Sequence, residues 1–201
     1  MRATRSLVGL TGLLCCAGLL VGCGGGGGGG PTETAASLTE EGWVLYEDGE
    51  YEAAVVKFFS ATELDANYRD AYNGLGWTYG KLDSLQKAVT NFELCLAKGD
   101  TRPDPHAGKA PVCRDLDPRE CEEAISAAAA ALSLDADFVF EHYEDFNWRD
   151  LRIIKAQCHF DLREYAEAAG EIEELGGGVI DPDSTARIAE KIEELEELYG
   201  G

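Results

Sequence analysis

The sequence predicts an all-α protein, a solenoid of antiparallel helix pairs that ends in a C-terminal capping helix. The first observation is an internal repeat, since Trp43 recurs as Trp77, 34 residues later. The second is that small residues recur with small ones, as Gly42 does with Gly76, which lets two helices cross closely. The third is an acidic amphipathic segment at 183–199, of the kind that covers the exposed end of a helical array.

The repeat resembles the tetratricopeptide repeat (TPR) family, whose unit is a helix–turn–helix of about 34 residues. A first repeat spans about residues 35–67, and a second spans about 68–100. The landmark positions of that family hold Leu38, Gly42, Leu45, Ala54, Phe58 and Ala61 in the first repeat, and Tyr72, Leu75, Gly76, Tyr79, Ala88, Phe92 and Cys95 in the second. The resemblance implies that the large residues fill the space between successive helix pairs.

Two weaker repeats follow the clear ones. Residues 117–137 align with the second helix of the first repeat, so we interpret them as a degenerate unit that has lost its first helix. The stretch from Gly99 to Pro118 is expected to contain no helix, because it is rich in proline and glycine. Residues 148–176 are a divergent repeat, and an aromatic insertion at 138–148 precedes them.

Residues 1–22 have the features of a secretory signal peptide. Arg2 and Arg5 precede an uncharged apolar run, which is shorter than the ~20 apolar residues of a membrane-spanning helix. The run ends in Leu-Val-Gly-Cys, which resembles the lipobox of bacterial lipoproteins and implies that Cys23 carries the lipid. Ordinary cleavage that leaves Cys23 as a free thiol is the alternative.

The segment 23–34 is expected to be a flexible linker, because seven consecutive glycines cannot support a packed structure. It connects the lipidated cysteine to a TPR-like helical domain at 35–201. In the sorting system of enteric bacteria, Asp after the lipidated cysteine favours the inner membrane. Gly24 follows here, which favours the outer membrane of a Gram-negative cell.

The charge of the chain restricts its partners. With 38 acidic and 17 basic side chains, the formal net charge is −21. Such a surface repels phosphates, so a nucleic-acid partner is excluded. The same charge opposes self-association, and the protein is expected to be monomeric outside its complex.

No pattern in the sequence indicates catalysis or a cofactor. Nucleophile–base pairs and phosphate-binding loops are missing, and the cysteine spacing does not fit the common zinc sites. An enzyme is therefore not expected. Cys113 and Cys121 lie eight residues apart around a predicted helix start, and a disulfide between them is a candidate in an oxidising compartment. Buried free thiols are expected for Cys95 and Cys158.

The first helices of the two clear repeats hold the candidate partner-binding residues. In the TPR family, certain first-helix positions line the concave groove. Carried over to this sequence, they are Thr39, Trp43, Tyr46, Asn73, Trp77 and Lys81. Large aromatic side chains in a groove are common anchors of interfaces. The alternative is that the tryptophans only pack against neighbouring helices.

Together these features favour a lipid-anchored, non-catalytic interaction module of the bacterial cell envelope. It would bind a partner protein or peptide in the TPR groove. A lipoprotein receptor for a solute or glycan is the alternative, and it would require a deep aromatic pocket.

Overall fold

The computed structural model describes residues 32–117 and 119–199, and the described residues confirm the all-α prediction. They form nine helices: α1 Ala35–Glu47, α2 Tyr51–Leu64, α3 Arg69–Lys81, α4 Leu85–Ala97, α5 Asp104–Asp115, α6 Cys121–Leu134, α7 Trp148–Asp161, α8 Tyr165–Glu174 and α9 Thr185–Tyr199. Within this described part, extended structure is limited to one antiparallel bridge between Val139 and Asn147. None of these helices is long and apolar enough to cross a bilayer.

Consecutive helices pack in pairs, and the pairs stack into an array. Helix α1 packs on α2, α3 on α4, α5 on α6 and α7 on α8. The first helices of successive pairs also contact one another, α1 with α3, α3 with α5 and α5 with α7. These four helices form one side of the array, which we call the inner face.

The turn inside a repeat has the same geometry in three pairs. Gly49, Asp83 and Arg163 each follow the end of a first helix and have φ values of 77°, 53° and 66°. In each turn the next backbone N–H donates to a carbonyl in the last turn of the helix, as Glu50 does to Leu45 at 2.8 Å. This left-handed C-terminal cap satisfies carbonyls that the helix leaves free. Only the first of the three turns has the glycine that the conformation favours.

Glycines allow the first helices to approach aromatic rings of the second helices. A Cβ atom on Gly42 would lie 2.7 Å from the Phe58 ring, and one on Gly76 would lie 2.6 Å from the Phe92 ring. Phe58 and Phe92 have no exposed surface. The small residues of the repeat therefore make room for these two rings, as the sequence predicted.

The expectation that the stretch from Gly99 to Pro118 contains no helix was wrong. Pro105 stands in the first turn of α5, where its missing N–H has no intrahelical partner to lose. Pro111 stands inside the helix, where a proline normally disrupts it. The helix forms because Ala107, Gly108 and Ala110 are buried against the second pair, so packing outweighs the proline. Helix α5 is thus the first helix of a third pair.

The C-terminal helix covers the end of the array. Helix α9 packs against α7 and α8, and buries Ile188, Ile192 and Leu195. The opposite face of α9 is acidic and exposed, with Glu190 and Glu194 among its residues. This is the arrangement expected of a capping helix.

Candidate partner-binding groove

Trp43 and Trp77 both lie on the inner face, at equivalent positions of α1 and α3. Their side chains are not open to solvent, since only 6% and 7% of their surfaces are exposed. Thr39, Tyr46 and Asn73 are buried as well. The expectation that the tryptophans are exposed anchors of an open groove is therefore not met in this structure.

The aromatic insertion covers both tryptophans. We call residues 138–147, between α6 and α7, the inserted loop. The Phe140 ring stacks on the Trp77 indole with centroids 3.8 Å apart and 12° between the planes. The His142 ring stacks on the Trp43 indole at 3.9 Å and 5°. Phe140 also meets the edge of Trp43 at 6.0 Å, so one loop residue joins the two repeats.

The inserted loop is held together by its own backbone. The N–H of Phe140 donates to the carbonyl of Phe146 at 2.9 Å, and the N–H of Trp148 donates to the carbonyl of Phe138 at 2.8 Å. At its end, Asn147 caps α7, because its side chain accepts from the N–H of Arg149. The loop is thus a small closed turn placed directly before a well-capped helix.

Only some of the buried polar atoms of the predicted set have a hydrogen-bond partner among the described residues. The Trp43 Nε1–H donates to Asp70 Oδ2 at 3.2 Å, and the Thr39 hydroxyl donates to the carbonyl of Ala35 at 2.8 Å. In contrast, the hydroxyl of Tyr46, Oδ1 of Asn73 and Nε1 of Trp77 are buried without a hydrogen-bond partner in the described part of the chain. Burial, and then the neighbouring phenols of Tyr51 and Tyr143, raise the pKa of the Tyr46 phenol.

Lys81 lies at the rim of the covered groove. Its ammonium is 3.9 Å from the centre of the Tyr143 ring, in a cation–π contact with the inserted loop. Desolvation lowers the pKa of Lys81, and the charge of Asp145 partly offsets this shift. Lys81 is the member of the predicted set that solvent reaches most easily.

A cavity of about 430 Å³ adjoins the inserted loop on the inner face. Its wall combines residues of α3, α5 and α7 with Tyr143 and Phe146 of the inserted loop. Trp77 and Lys81 reach it from α3, and Pro111 and Arg114 reach it from α5. Two members of the predicted set, Trp77 and Lys81, therefore meet at one opening.

The structure does not contain the predicted disulfide between Cys113 and Cys121. Cys95, Cys113, Cys121 and Cys158, the cysteines of the described residues, are free and buried. Cys121 starts α6, and Cys158 of α7 lies within hydrogen-bonding reach of it. Burial, and then this contact, raise the pKa of the Cys158 thiol to about 12. Such thiols are poor nucleophiles at neutral pH.

Cys23, the predicted lipidation site, lies outside the described residues. In the ranges that are described, no three potential metal-ligand side chains come together.

The repeat geometry agrees with known families and structures. The family model described as TPR repeat matches residues 42–83. The structure of YrrB, a TPR protein with an unusual peptide-binding site, superposes with a TM-score of 0.62 at 20% identity, over 82% of this chain and 77% of that one. The chain has the tetratricopeptide-repeat fold.

Two other solved structures show the same architecture. The first TPR of Spaghetti (RPAP3), solved with the HSP90 peptide SRMEEVD, gives a TM-score of 0.52 at 19% identity, over 62% of this chain and 92% of that one. PilF of Pseudomonas aeruginosa gives 0.57 at 15% identity, over 82% and 68%. At these identities the likeness establishes the TPR fold alone. A comparison with curated protein sequences finds no match.

Two parts of the site were not predicted from the sequence. Helix α5 carries the TPR offset in a weak form, since Gly108 follows Gly74 by 34 residues and packs against the same Phe92 ring as Gly76. That glycine pair was the signal that could have located α5. The insertion of Phe140 between the tryptophans left no such signal, because the inserted loop has no counterpart in the other repeats.

Proposed function

We infer that this TPR protein is a non-catalytic interaction module that binds a segment of a partner protein on its inner face. The observation that carries the proposal is the cavity at which Trp77 and Lys81 meet. An aromatic wall beside a cation suits a peptide segment with an apolar side chain and a polar or acidic neighbour. The peptide-binding site of YrrB and the peptide bound to RPAP3 support a role of this kind for the fold.

The proposal includes a lipid anchor at Cys23. The lipobox-like sequence and the apolar run before it support this. Helix α1 begins at Ala35, where the Thr34 side chain accepts from the N–H of Ser37, so the linker ends at a defined helix cap. A Gly-rich linker of about a dozen residues has an r.m.s. span of roughly 20 Å, which keeps the TPR domain close to the bilayer.

We place the protein in the cell envelope, on the outer membrane if the cell is Gram-negative. The residue after Cys23 is glycine rather than aspartate, which supports that choice. The net charge of −21 supports a protein partner over a nucleic acid.

A receptor for a solute or glycan is the second candidate, because about 430 Å³ is within the size range of small-molecule sites. Its wall includes Asp115, Asp150 and Glu196 along with Lys81 and Arg114. The mixed charges favour a peptide, which carries donors and acceptors of both kinds.

Site-specific photo-crosslinking tests the proposed function. A photoreactive amino acid replaces Lys81 in the full-length protein, in living cells, and the matched control replaces Lys87, an exposed residue of α4. We expect one dominant protein adduct from position 81 and none of that mass from position 87. Equal adducts from both positions, or none from position 81, would contradict the proposal.

The anchor has a separate test. Cys23→Ser should leave a longer, unprocessed precursor that no longer incorporates labelled fatty acid. Continued incorporation of label by the Cys23→Ser protein would contradict lipidation at Cys23.

A further inference from the structure

The inserted loop contacts α1 and α3 through side chains, and the backbone hydrogen bonds of the described residues do not join it to either helix. Four of its backbone hydrogen bonds lie within 138–148: Phe140 to Phe146, Tyr143 to Phe140, Phe146 to Tyr143 and Trp148 to Phe138. The carbonyl of Asn147 also accepts from the N–H groups of Asp150 and Leu151 in the first turn of α7. Its polar contacts to α1 and α3 include the 2.7 Å contact of His142 with Glu47 and the cation–π contact of Lys81 with the Tyr143 ring at 3.9 Å. Residues 138–146 can therefore leave α1 and α3 without breaking a backbone hydrogen bond.

The docked loop leaves some buried polar atoms of the inner face without a hydrogen bond within the described part of the chain. Among the described residues, Tyr46, Asn73 and Trp77 each keep one buried polar atom without a hydrogen-bond partner, and all three belong to the predicted groove. Asn73 and Trp77 are four residues apart on α3, so they lie on the same side of that helix. Buried polar atoms without partners are costly, and another occupant that pairs them has an advantage over the inserted loop.

The atoms themselves indicate the chemistry of that occupant. The Trp77 Nε1–H needs an acceptor, Asn73 Oδ1 needs a donor, and the Tyr46 hydroxyl can use either. A peptide backbone supplies carbonyl acceptors and N–H donors together. The stacking position on Trp77, which Phe140 now occupies, accepts one aromatic side chain.

We propose that the inserted loop is an internal ligand of the inner face, and that a partner peptide displaces it by placing its own aromatic side chain in the position of Phe140. This inference rests on the proposed function, since it concerns the same groove, and it specifies the partner as an aromatic-bearing peptide segment. The apparent affinity for such a peptide equals its intrinsic affinity multiplied by the fraction of molecules whose loop is undocked.

An exchange experiment tests this with the loop sequence itself. The probe is a fluorescein-labelled peptide of residues 137–148, and binding to the full-length protein is followed by fluorescence anisotropy. The Phe140→Ala protein, whose loop has lost its stacking residue, should bind the probe at least ~10-fold more tightly than the unmutated protein. A probe in which Phe140 is replaced by alanine should lose this gain.

Two loop variants keep the test decisive if Phe140→Ala unfolds the protein. His142→Ala removes the stack on Trp43 and the ion pair with Glu47 but leaves Phe140, and it should produce a smaller gain in probe affinity. Val139→Ala is the matched control, because Val139 is exposed in the same loop, and it should change nothing. Folding of each variant is checked by its circular dichroism melt.

Displacement also has a readout in the unmutated protein. Saturation with unlabelled probe should accelerate cleavage by chymotrypsin at Tyr143, since the displaced loop becomes accessible. A folded loop variant that binds the probe no better than the unmutated protein, or a cleavage rate that stays constant, would overturn the inference. If position 81 crosslinks to a partner protein but the loop variants do not bind the probe more tightly, the internal-ligand proposal is refuted and the proposed function stands. If the loop variants bind the probe more tightly but position 81 gives no crosslink, the proposed function is refuted instead.

Discussion

The Phe140 ring lies almost parallel to the Trp77 indole, 3.8 Å away, although the two residues belong to different parts of the chain. Trp77 comes from a regular TPR helix, whereas Phe140 comes from an insertion that the other repeats lack. Phe92 packs against the same indole edge-on at 5.9 Å. Trp77 is therefore part of the hydrophobic core for as long as the inserted loop is docked.

Replacement of Trp77 should cost stability. Trp77→Ala is expected to lower the free energy of unfolding by ~3–5 kcal/mol, because a large buried ring leaves a cavity. For a domain of this size the fall in Tm should be roughly 6–20 °C. Phe59→Ala is the matched control, since Phe59 is 53% exposed and should shift Tm little. Equal shifts in the two variants would show that Trp77 is not a core residue.

Replacement of two helical glycines by alanine should change the free energy of unfolding in opposite directions. Gly76→Ala is expected to destabilise by ~1–3 kcal/mol, because its Cβ would lie 2.6 Å from the Phe92 ring. Gly170→Ala should stabilise by ~0.5–1 kcal/mol, because its Cβ position in α8 has no neighbouring atom within 4 Å in the described part of the chain. Urea unfolding of the two variants measures both changes. The same sign for both would contradict the close approach of Gly76.

The left-handed turn at Arg163 predicts that glycine at this position stabilises the fold. Arg163 has a φ of 66°, a conformation that costs a residue with a side chain about 1–2 kcal/mol relative to glycine. Arg163→Gly should therefore raise Tm, and Gly49→Ala, at the equivalent turn with a φ of 77°, should lower it. A loss of stability in Arg163→Gly would mean that the arginine makes a compensating contact.

Asp100 should contribute to the acid sensitivity of the fold. Burial alone would raise its pKa, but hydrogen bonds from Arg102 outweigh burial and hold the pKa below the ordinary 3.8. The unfolded chain therefore takes up this proton at a higher pH than the folded one. The resulting stabilisation is complete above about pH 4 to 5 and is lost as the pH falls through the folded pKa.

The matched variant is Asp100→Asn, in which this titration is removed. It should be less stable than the unmutated protein at pH 7, and the difference should shrink towards pH 2. Thermal melts across this range measure the difference. A difference that is constant with pH would assign the effect to packing instead of charge.

The TPR array could be predicted from sequence because its determinants repeat. Gly42 and Phe58 recur as Gly76 and Phe92, and each pair meets in the same way in the structure. Helix α5 was not predicted, because the rule that a proline such as Pro111 disrupts a helix considers only local backbone geometry. Burial of the small residues beside it is a tertiary effect, which outweighed the local rule.

The repeat predicts that Trp43 and Trp77 share one face, but the expectation that their side chains are exposed was not met. The repeat places Trp43 and Trp77 on one face, since they hold the same position in successive helices. It contains no information on a segment inserted elsewhere, so Phe140 and His142 had no predictable location. The cysteines show the same limit, because eight residues separate Cys113 from Cys121 along the chain while Cys121 packs beside Cys158 from the next helix.

The central claim is that the inner face is a peptide groove filled by the inserted loop in the free protein. Nuclear Overhauser contacts between the Phe140 ring and the Trp77 indole test it most directly in solution. In a protein labelled with ¹³C, we predict strong contacts within the free chain. An excess of the unlabelled peptide of residues 137–148 should replace them with contacts between Trp77 and the peptide. A free protein without these contacts, whose Trp77 indole N–H exchanges rapidly with water, would contradict the account.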